Sequence, residues 1–271
     1  MLKKRVIFTL LYKDGFFVLS RNFRLQKVGD LKWLKKNYNF GQTAFSIDEL
    51  IILDVSRGEK NQRLFCDHVK SLTEECFIPI AAGGGINSVN SAKMLLHNGA
   101  DKIVINSLAA KDNDEISKIA SEFGSQSIVV SIDVMKTNEG YQVFIENGEK
   151  LHDEYLKDYL KRVNKLPVGE IYLNSIDKDG TGQGFQNEIL QNLPNHMSIP
   201  LIFAGGAGNH KHLAEGLKNN SIDAVATANL FNFVGDGLKK ARDNLLLEGF
   251  DLAEWDISTA NSLKLSCQEK L

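Results

Sequence analysis

The sequence predicts an α/β fold, a (β/α)8 TIM barrel assembled from two similar half-barrels. Three observations lead there. Eight short apolar runs, most of them β-branched and nearly uninterrupted, read as parallel strands buried on both faces. Amphipathic stretches of helical period separate many of them, in a chain of 271 residues, a length a single α/β barrel can fill. The pattern also repeats. Ile78-Pro79-Ile80 before Gly83-Gly84-Gly85 returns as Ile199-Pro200-Leu201 before Gly205-Gly206-Ala207-Gly208. Leu11 with Asp133, Glu49 with Glu170, and Asn106 with Asn229 recur at offsets of 121 to 123 residues. Two four-strand halves close a barrel, which favours it over the alternative, a doubly wound open sheet. Residues 1–271 are read as one domain.

The strands, in order, are Arg5–Leu11, Glu49–Asp54, Ile78–Ala82, Lys102–Ile105, Ser127–Asp133, Glu170–Asn174, Pro200–Ala204 and Asp223–Ala226. The helices are Arg63–Glu74, Val89–Asn98, Asn113–Phe123, Asp153–Asn164, Gln186–Leu193 and Lys211–Asn219. The segment Phe16–Phe45 is long and basic, with glycines at Gly29 and Gly41. Gly29-Asp30 reads as a turn and N-cap, with a helix over Leu31–Tyr38. Phe16–Val28 is too long for a plain connection; it is an active-site lid or a solvated basic excursion. After Phe250 there is one weak amphipathic stretch.

Composition narrows the function. Hydrophobic residues make up 43% and charged residues 24%, an ordinary globular mix. Lys and Arg total 32 against 34 Asp and Glu, a net charge of −2, so no positive field points to nucleic acid or an anionic membrane. The opening MLKKRVIFTLLYKDG is broken by Lys13-Asp14 and reads as a strand, not a signal peptide. No apolar run reaches the ~18 residues of a membrane span. The cysteines Cys66, Cys76 and Cys267 have no metal or redox spacing and fit reduced thiols of a cytoplasmic protein. The histidines show no metal spacing; His210 and His212 are two apart and do not share a helix face, and His68 and His97 fall in surface helices. No cofactor motif, nucleotide-binding loop or Schiff-base lysine is visible.

Two glycine clusters end the third and seventh strands. Bare backbone N–H groups there, beside helix N-termini, favour phosphate. Gly205 and Gly206 with Ala228 and Asn229 would form the phosphate site usual after the last two strands of a barrel. The repeat places a second at Gly84 and Gly85 with Asn106 and Ser107. A ligand with two phosphate-like ends fits both; tight turns alone are the alternative. Asp133 ends the fifth strand, and Asp177 and Asp179 follow the sixth in SIDKDGTGQG, where Gly180 makes a turn and joins the phosphate-binding candidates. Carboxylates at C-terminal strand ends are acid–base candidates. For Asp177 and Asp179 an Asx-type turn is the competing reading. Asp54 is a weaker candidate of the same kind. At the opposite face Arg5, Glu49, Lys102 and Glu170 begin strands one, two, four and six. On charge alone they read as solvated strand starts.

Taken together, RVIFTLLYKDG, IDELIILD, IPIAAGGGI, GADKIVINS, FGSQSIVVSID, GEIYLNSIDKDGTGQG and IPLIFAGGAG resemble HisF, the cyclase subunit family of imidazole glycerol phosphate synthase. The resemblance runs from Leu2 to about Phe233. It implies a half-barrel duplication, a HisH-type glutaminase partner, and ammonia passing through the barrel to a bis-phosphorylated substrate. It also recasts Arg5, Glu49, Lys102 and Glu170 as a salt-bridged gate at the ammonia opening. Asp101 and Gln126 match positions facing the glutaminase.

Two departures stand out. The family works with a carboxylate at the ends of strands one and five; here Asp133 is present, but Leu11 ends strand one. A leucine moves no proton, and general acid–base help is typically worth ~10²–10⁴ in rate. A family lysine in the first loop is matched by Leu19. Ala204 and Asn229 stand where the family commonly carries hydroxyls. The combination resembles a divergent HisF-like branch in surface-polysaccharide and nonulosonate gene sets. There, ammonia serves to build an amidino group on a sugar activated by a separate ATP-using amidotransferase. A working histidine-biosynthesis cyclase and a non-catalytic, ligand-sensing activator of a glutaminase are the other readings.

Overall fold

A computed structural model describes residues 3–38, 43, 45–229 and 236–254. Leu2, Gly41, positions 230–233 of the family resemblance, Cys267 and the tail from 255 lie outside the described residues. In chain order the elements are β1 (Arg5–Lys13), β2 (Phe16–Arg21), β3 (Arg24–Gly29), α1 (Leu31–Asn37), β4 (Glu49–Asp54), α2 (Gln62–Thr73), β5 (Ile80–Gly83), α3 (Val89–His97), β6 (Lys102–Ile105), α4 (Ser107–Lys111) and α5 (Asn113–Phe123). The second half continues with β7 (Ile128–Thr137), β8 (Gly140–Ile145), β9 (Lys150–Tyr155), α6 (Leu156–Val163), β10 (Glu170–Ser175), β11 (Leu201–Ala204), α7 (His210–Leu217), β12 (Ala224–Thr227) and α8 (Gly237–Leu247).

Eight parallel strands follow the order β10, β11, β12, β1, β4, β5, β6, β7, and pairing of β7 with β10 closes the ring. This is the predicted (β/α)8 barrel. The strands are apolar on both sides because each side is buried. Ile7, Ile51, Val104, Val129 and Ile202 pack in the barrel interior, while their neighbours pack against the helices. No helix among the described residues is long and apolar enough to cross a membrane.

Local signals set the connections. The Asp30 carboxylate accepts from Trp33 N at 2.8 Å and starts α1, as the turn before it predicts. Ser88 and Ser91 form a capping box for α3. Just before β4, β6 and β12 an aspartate accepts from the backbone of the preceding strand: Asp48 from Val6 N, Asp101 from Ile80 N and Asp223 from Leu201 N, at 2.7, 2.8 and 2.9 Å. Each ties two strand starts together. Asp48 is further gripped by both terminal nitrogens of buried Arg242 at 2.9 and 2.8 Å, which fastens α8 to the barrel.

The structure gives form to one expectation and corrects two. Phe16–Val28 is a β-hairpin, β2–β3, which continues antiparallel from β1. The predicted helix Asp153–Asn164 starts too early; its first residues belong to β9, and the helix is Leu156–Val163. Gln186–Leu193 is a 3-10 turn over Asn187–Asn192. Strand five also runs past Asp133 to Thr137, because it pairs onward with β8. The repeat therefore extends to the loops: β2–β3 follows the first strand and β8–β9 the fifth. Each hairpin turns through two non-glycine residues of positive φ, Asn22 and Phe23 at 50° and 62°, Glu146 and Asn147 at 56° and 59°. The hairpins meet at their tips, where a Cβ on Gly148 would lie 2.5 Å from the Phe23 ring.

Candidate active site

A cavity of about 680 Å³ opens at the C-terminal ends of the barrel strands, under the two hairpins. Asp133, Asp179, Gly84, Gly85, Asn106, Ser107, Gly180, Gly205, Gly206, Ala228 and Asn229 all line it. Asp177 does not; its carboxylate accepts from Lys136 N at 2.8 Å and holds the extension of β7.

Asp133 sits on the inner face of β7 and is 9% exposed. Its two oxygens accept from the amides of Asn106 and Asn174, each at 3.1 Å. Burial pushes this carboxyl up to about 7; the Asn174 hydrogen bond works against burial and the Asp179 charge adds to it. A carboxyl poised there can hold or release a proton near neutral pH. Asn174 escapes a motif reading, yet period two on Glu170–Ser175 puts Glu170, Tyr172 and Asn174 on one face.

Asp179 is buried and its carboxyl is raised, chiefly by burial. One oxygen accepts from the Ser20 hydroxyl and from Phe23 N, the latter at 3.1 Å. Its backbone carbonyl accepts from Asn22 N at 2.9 Å. Asp179 therefore fastens the first hairpin over the mouth. Gly180 allows the close approach: a Cβ there would lie 1.7 Å from the Ser20 carbonyl oxygen, and its φ is +65°.

Directly across the barrel from Asp133, β1 presents Leu11 to the cavity, 9% exposed. The remaining lining carboxylates are engaged elsewhere. Asp54 accepts from Ser56 N at 2.9 Å and lies 3.8 Å from Lys60 Nζ. Glu146 pairs with Lys111 at 2.6 Å and Glu149 with Arg57 at 3.0 Å.

The four glycines at the strand ends all have positive φ, between 81° and 126°. A Cβ on Gly84 would lie 2.4 Å from the Asp54 carbonyl oxygen, so the turn needs glycine whatever the cavity holds. At the first-half site the Asn106 amide is drawn to Asp133 and to Ser131 O, and the Ser107 hydroxyl accepts from Glu146 N at 3.1 Å. Lys60, unnoticed in the sequence, borders that site, its side chain against Gly85.

At the N-terminal face the four charged strand starts form a closed alternating ring. Arg5 reaches Glu49 at 3.2 Å and Glu170 at 2.6 Å; Lys102 reaches the same two at 2.9 and 3.0 Å. Glu49 is 2% exposed, and burial raises its carboxyl more than Lys102 lowers it. Its Oε1 is buried with no hydrogen-bond partner among the described residues. Asp101 and Gln126 are exposed at this same end. Between ring and cavity, the Thr9 and Tyr172 hydroxyls meet at 3.2 Å across the barrel interior.

The family described as Histidine biosynthesis protein matches residues 28–235. A protein of Parasynechococcus marenigrum named "Putative imidazole glycerol phosphate synthase subunit hisF2" is 46% identical, over 97% of this chain and 98% of its own length. Imidazole glycerol phosphate synthase subunits HisF of Chlorobaculum parvum and Pelodictyon phaeoclathratiforme are 39% and 38% identical, each over 92% of this chain and 98% of their own length. With the closed barrel, the half-barrel repeat and these matches along nearly all its length, the chain belongs to the HisF family of imidazole glycerol phosphate synthase subunits.

Proposed function

We propose that this subunit receives ammonia from a HisH-like glutaminase and conducts it through the barrel. In the upper cavity the ammonia attacks the activated carbon of the acceptor, forming the C–N bond as the C–O bond to the activating phosphate group breaks and that phosphate leaves, in the amidination of a surface-polysaccharide or nonulosonate sugar. A separate ATP-using amidotransferase activates that sugar. The chain works in the cytoplasm, with Asp101 and Gln126 toward the glutaminase and the Arg5–Glu49–Lys102–Glu170 ring as its gate.

The observation that carries this reading is Leu11 facing Asp133 across the cavity. Ring closure to an imidazole calls for proton transfer on both sides of the substrate, and a leucine supplies none. Simple delivery of a neutral amine needs less: one carboxyl of pKa about 7, Asp133, to take the proton that the amine loses on attack. The lower half keeps what an ammonia path needs. The unpaired Oε1 of Glu49 and the Thr9–Tyr172 hydroxyl pair offer acceptors to N–H groups along an otherwise apolar interior. Asp179, tied to Ser20 and Phe23, keeps the hairpin closed over the acceptor, and Asp177 holds the second loop.

The test is reconstitution with the glutaminase that co-purifies from the native host. Glutamine hydrolysis should require the complex, and the bis-phosphorylated histidine-pathway substrate should yield little imidazole glycerol phosphate. Leu11→Asp alone should not restore ring closure while Leu19 remains. Robust cyclase turnover by the unaltered protein would overturn the proposal in favour of a histidine-biosynthesis enzyme. Ligand-stimulated glutaminase activity with no ligand consumed would assign the chain a purely sensing role.

A further inference from the structure

The tip of the first hairpin holds a charge arrangement that the amination reading does not use. Arg21 and Arg24 face one another as a cross-strand pair on either side of the Asn22–Phe23 turn. Directly opposed side chains in such a pair have Cβ atoms roughly 5 Å apart, and like charges there repel. Both arginines line the cavity. Neither makes an ion pair or a side-chain hydrogen bond among the described residues. The carboxylates about this end of the cavity are engaged elsewhere: Asp179 by the Ser20 hydroxyl and Phe23 N, Glu146 by Lys111 and Glu149 by Arg57.

The tip is also pinned where it stands. Phe23 adopts a φ of 62°, a region an aromatic residue rarely enters. It is held there by Asp179 through its N–H and by Gly148 against its ring. The anchoring thus keeps two unpaired guanidiniums at the cavity rim instead of letting the hairpin swing into solvent.

We propose that Arg21 and Arg24 form an anion clamp, a third charged subsite beside the two glycine turns, which grips a phosphate or carboxylate group of the cavity's ligand. A guanidinium presents paired donors that match either oxyanion in bidentate fashion. Placing the anion between the arginines offsets the repulsion between the two opposed guanidiniums. The clamp does not depend on what reaction the cavity supports.

The experiment follows the arginine Nε–H resonances of the full chain by nuclear magnetic resonance while inorganic phosphate is added, with ionic strength held constant by chloride. The Arg21 and Arg24 signals should shift and saturate. Arg24→Gln should weaken that phosphate affinity roughly ten- to hundredfold, while the Gly205 and Gly206 amides titrate as in the parent. A parallel titration with acetate separates the two guests: saturation by phosphate alone assigns a tetrahedral anion, and saturation by both assigns a general oxyanion clamp. The absence of a saturable shift at either arginine overturns the proposal. In chloride buffer Arg24→Gln should melt no lower than the parent. A lower melting temperature would make Arg24 a support of the hairpin and would also overturn it.

Discussion

Asp133 and Asn174 occupy paired positions on β7 and β10, and the Asn174 amide donates to the Asp133 carboxylate at 3.1 Å. The pairing joins the acid–base candidate Asp133 to the same strand face that carries Glu170 of the charged ring and Tyr172 between them. One strand therefore touches the ring, the interior and the proton-handling group.

The raised Asp133 carboxyl makes stability depend on pH. In the folded chain it titrates near 7, above its unfolded value of 3.8. Between those two pH values the folded state binds more protons than the unfolded one, so this group's contribution declines as pH rises through that window. Asp133→Asn removes the penalty. Its stability advantage over the parent should grow from about pH 4 to pH 7 and level off above, reaching a few kcal/mol at most. Urea unfolding at pH 5 and pH 8 measures it. Asn174→Ala should move the Asp133 titration upward, since the hydrogen bond it deletes favours the charged form.

Lys102→Met opens one side of the alternating ring and leaves Glu49 and Glu170 sharing Arg5. Glu49, already raised by burial, should titrate higher still. We expect a loss of roughly 1–3 kcal/mol of stability, since Lys102 is only partly buried. Glutamine-driven product formation should fall well below that driven by added ammonium salt. If both fall equally, or neither changes, the ring serves only to hold the strand starts together.

The Asp48–Arg242 pair is nearly dry, with side chains 8% and 4% exposed. Arg242→Met should strand the Asp48 charge and cost roughly 3–5 kcal/mol. The double variant Asp48→Asn with Arg242→Met should recover part of that loss, because no buried charge then remains unpaired. Chemical denaturation of the three variants gives the cycle.

Asp179→Ala removes the carboxylate that holds Ser20 and Phe23. The barrel itself should keep its melting temperature within a few degrees, since the contact lies outside the strand core. Trypsin should cut after Arg21 and Arg24 about tenfold faster or more, because cleavage follows the population of the opened hairpin. Unchanged cleavage would mean that the β1–β2 pairing alone holds the hairpin down. Deleting this neighbouring charge should also lower the Asp133 titration.

The barrel and the placing of four charged strand starts at one end were legible because their signals are periodic and local. Uninterrupted β-branched runs report burial on two faces, and the 121–123 residue offsets report duplication. Arg5, Glu49, Lys102 and Glu170 each begin a strand, so the residues alone place them at one end of the barrel as solvated charges; reading them as a gate is what the family resemblance implies. The second hairpin was not legible in the same way. Lys150–Tyr155 pairs along one edge and buries little, so its side chains carry no strand pattern, and the following amphipathic residues extend a helical reading back to Asp153. The turn residues Asn138-Glu139-Gly140 and Glu146-Asn147-Gly148 were the signal available.

By itself the sequence determined the barrel and its duplication, and it placed four charged residues at strand starts and Leu11 at a strand end, since each depends on residue type and on spacing along a strand; the ring and the missing carboxylate at Leu11 were what the family resemblance implied. Only the tertiary structure decided that the Asp177 carboxylate takes Lys136 N outside the cavity lining, that Asp179 latches a hairpin, and that Arg21 and Arg24 are a cross-strand pair with no ion-pair or side-chain hydrogen-bond partner among the described residues. Those facts depend on which backbone and side-chain groups from distant segments satisfy one another, and hydrogen-bond partners more than a hundred residues apart leave no period in the chain.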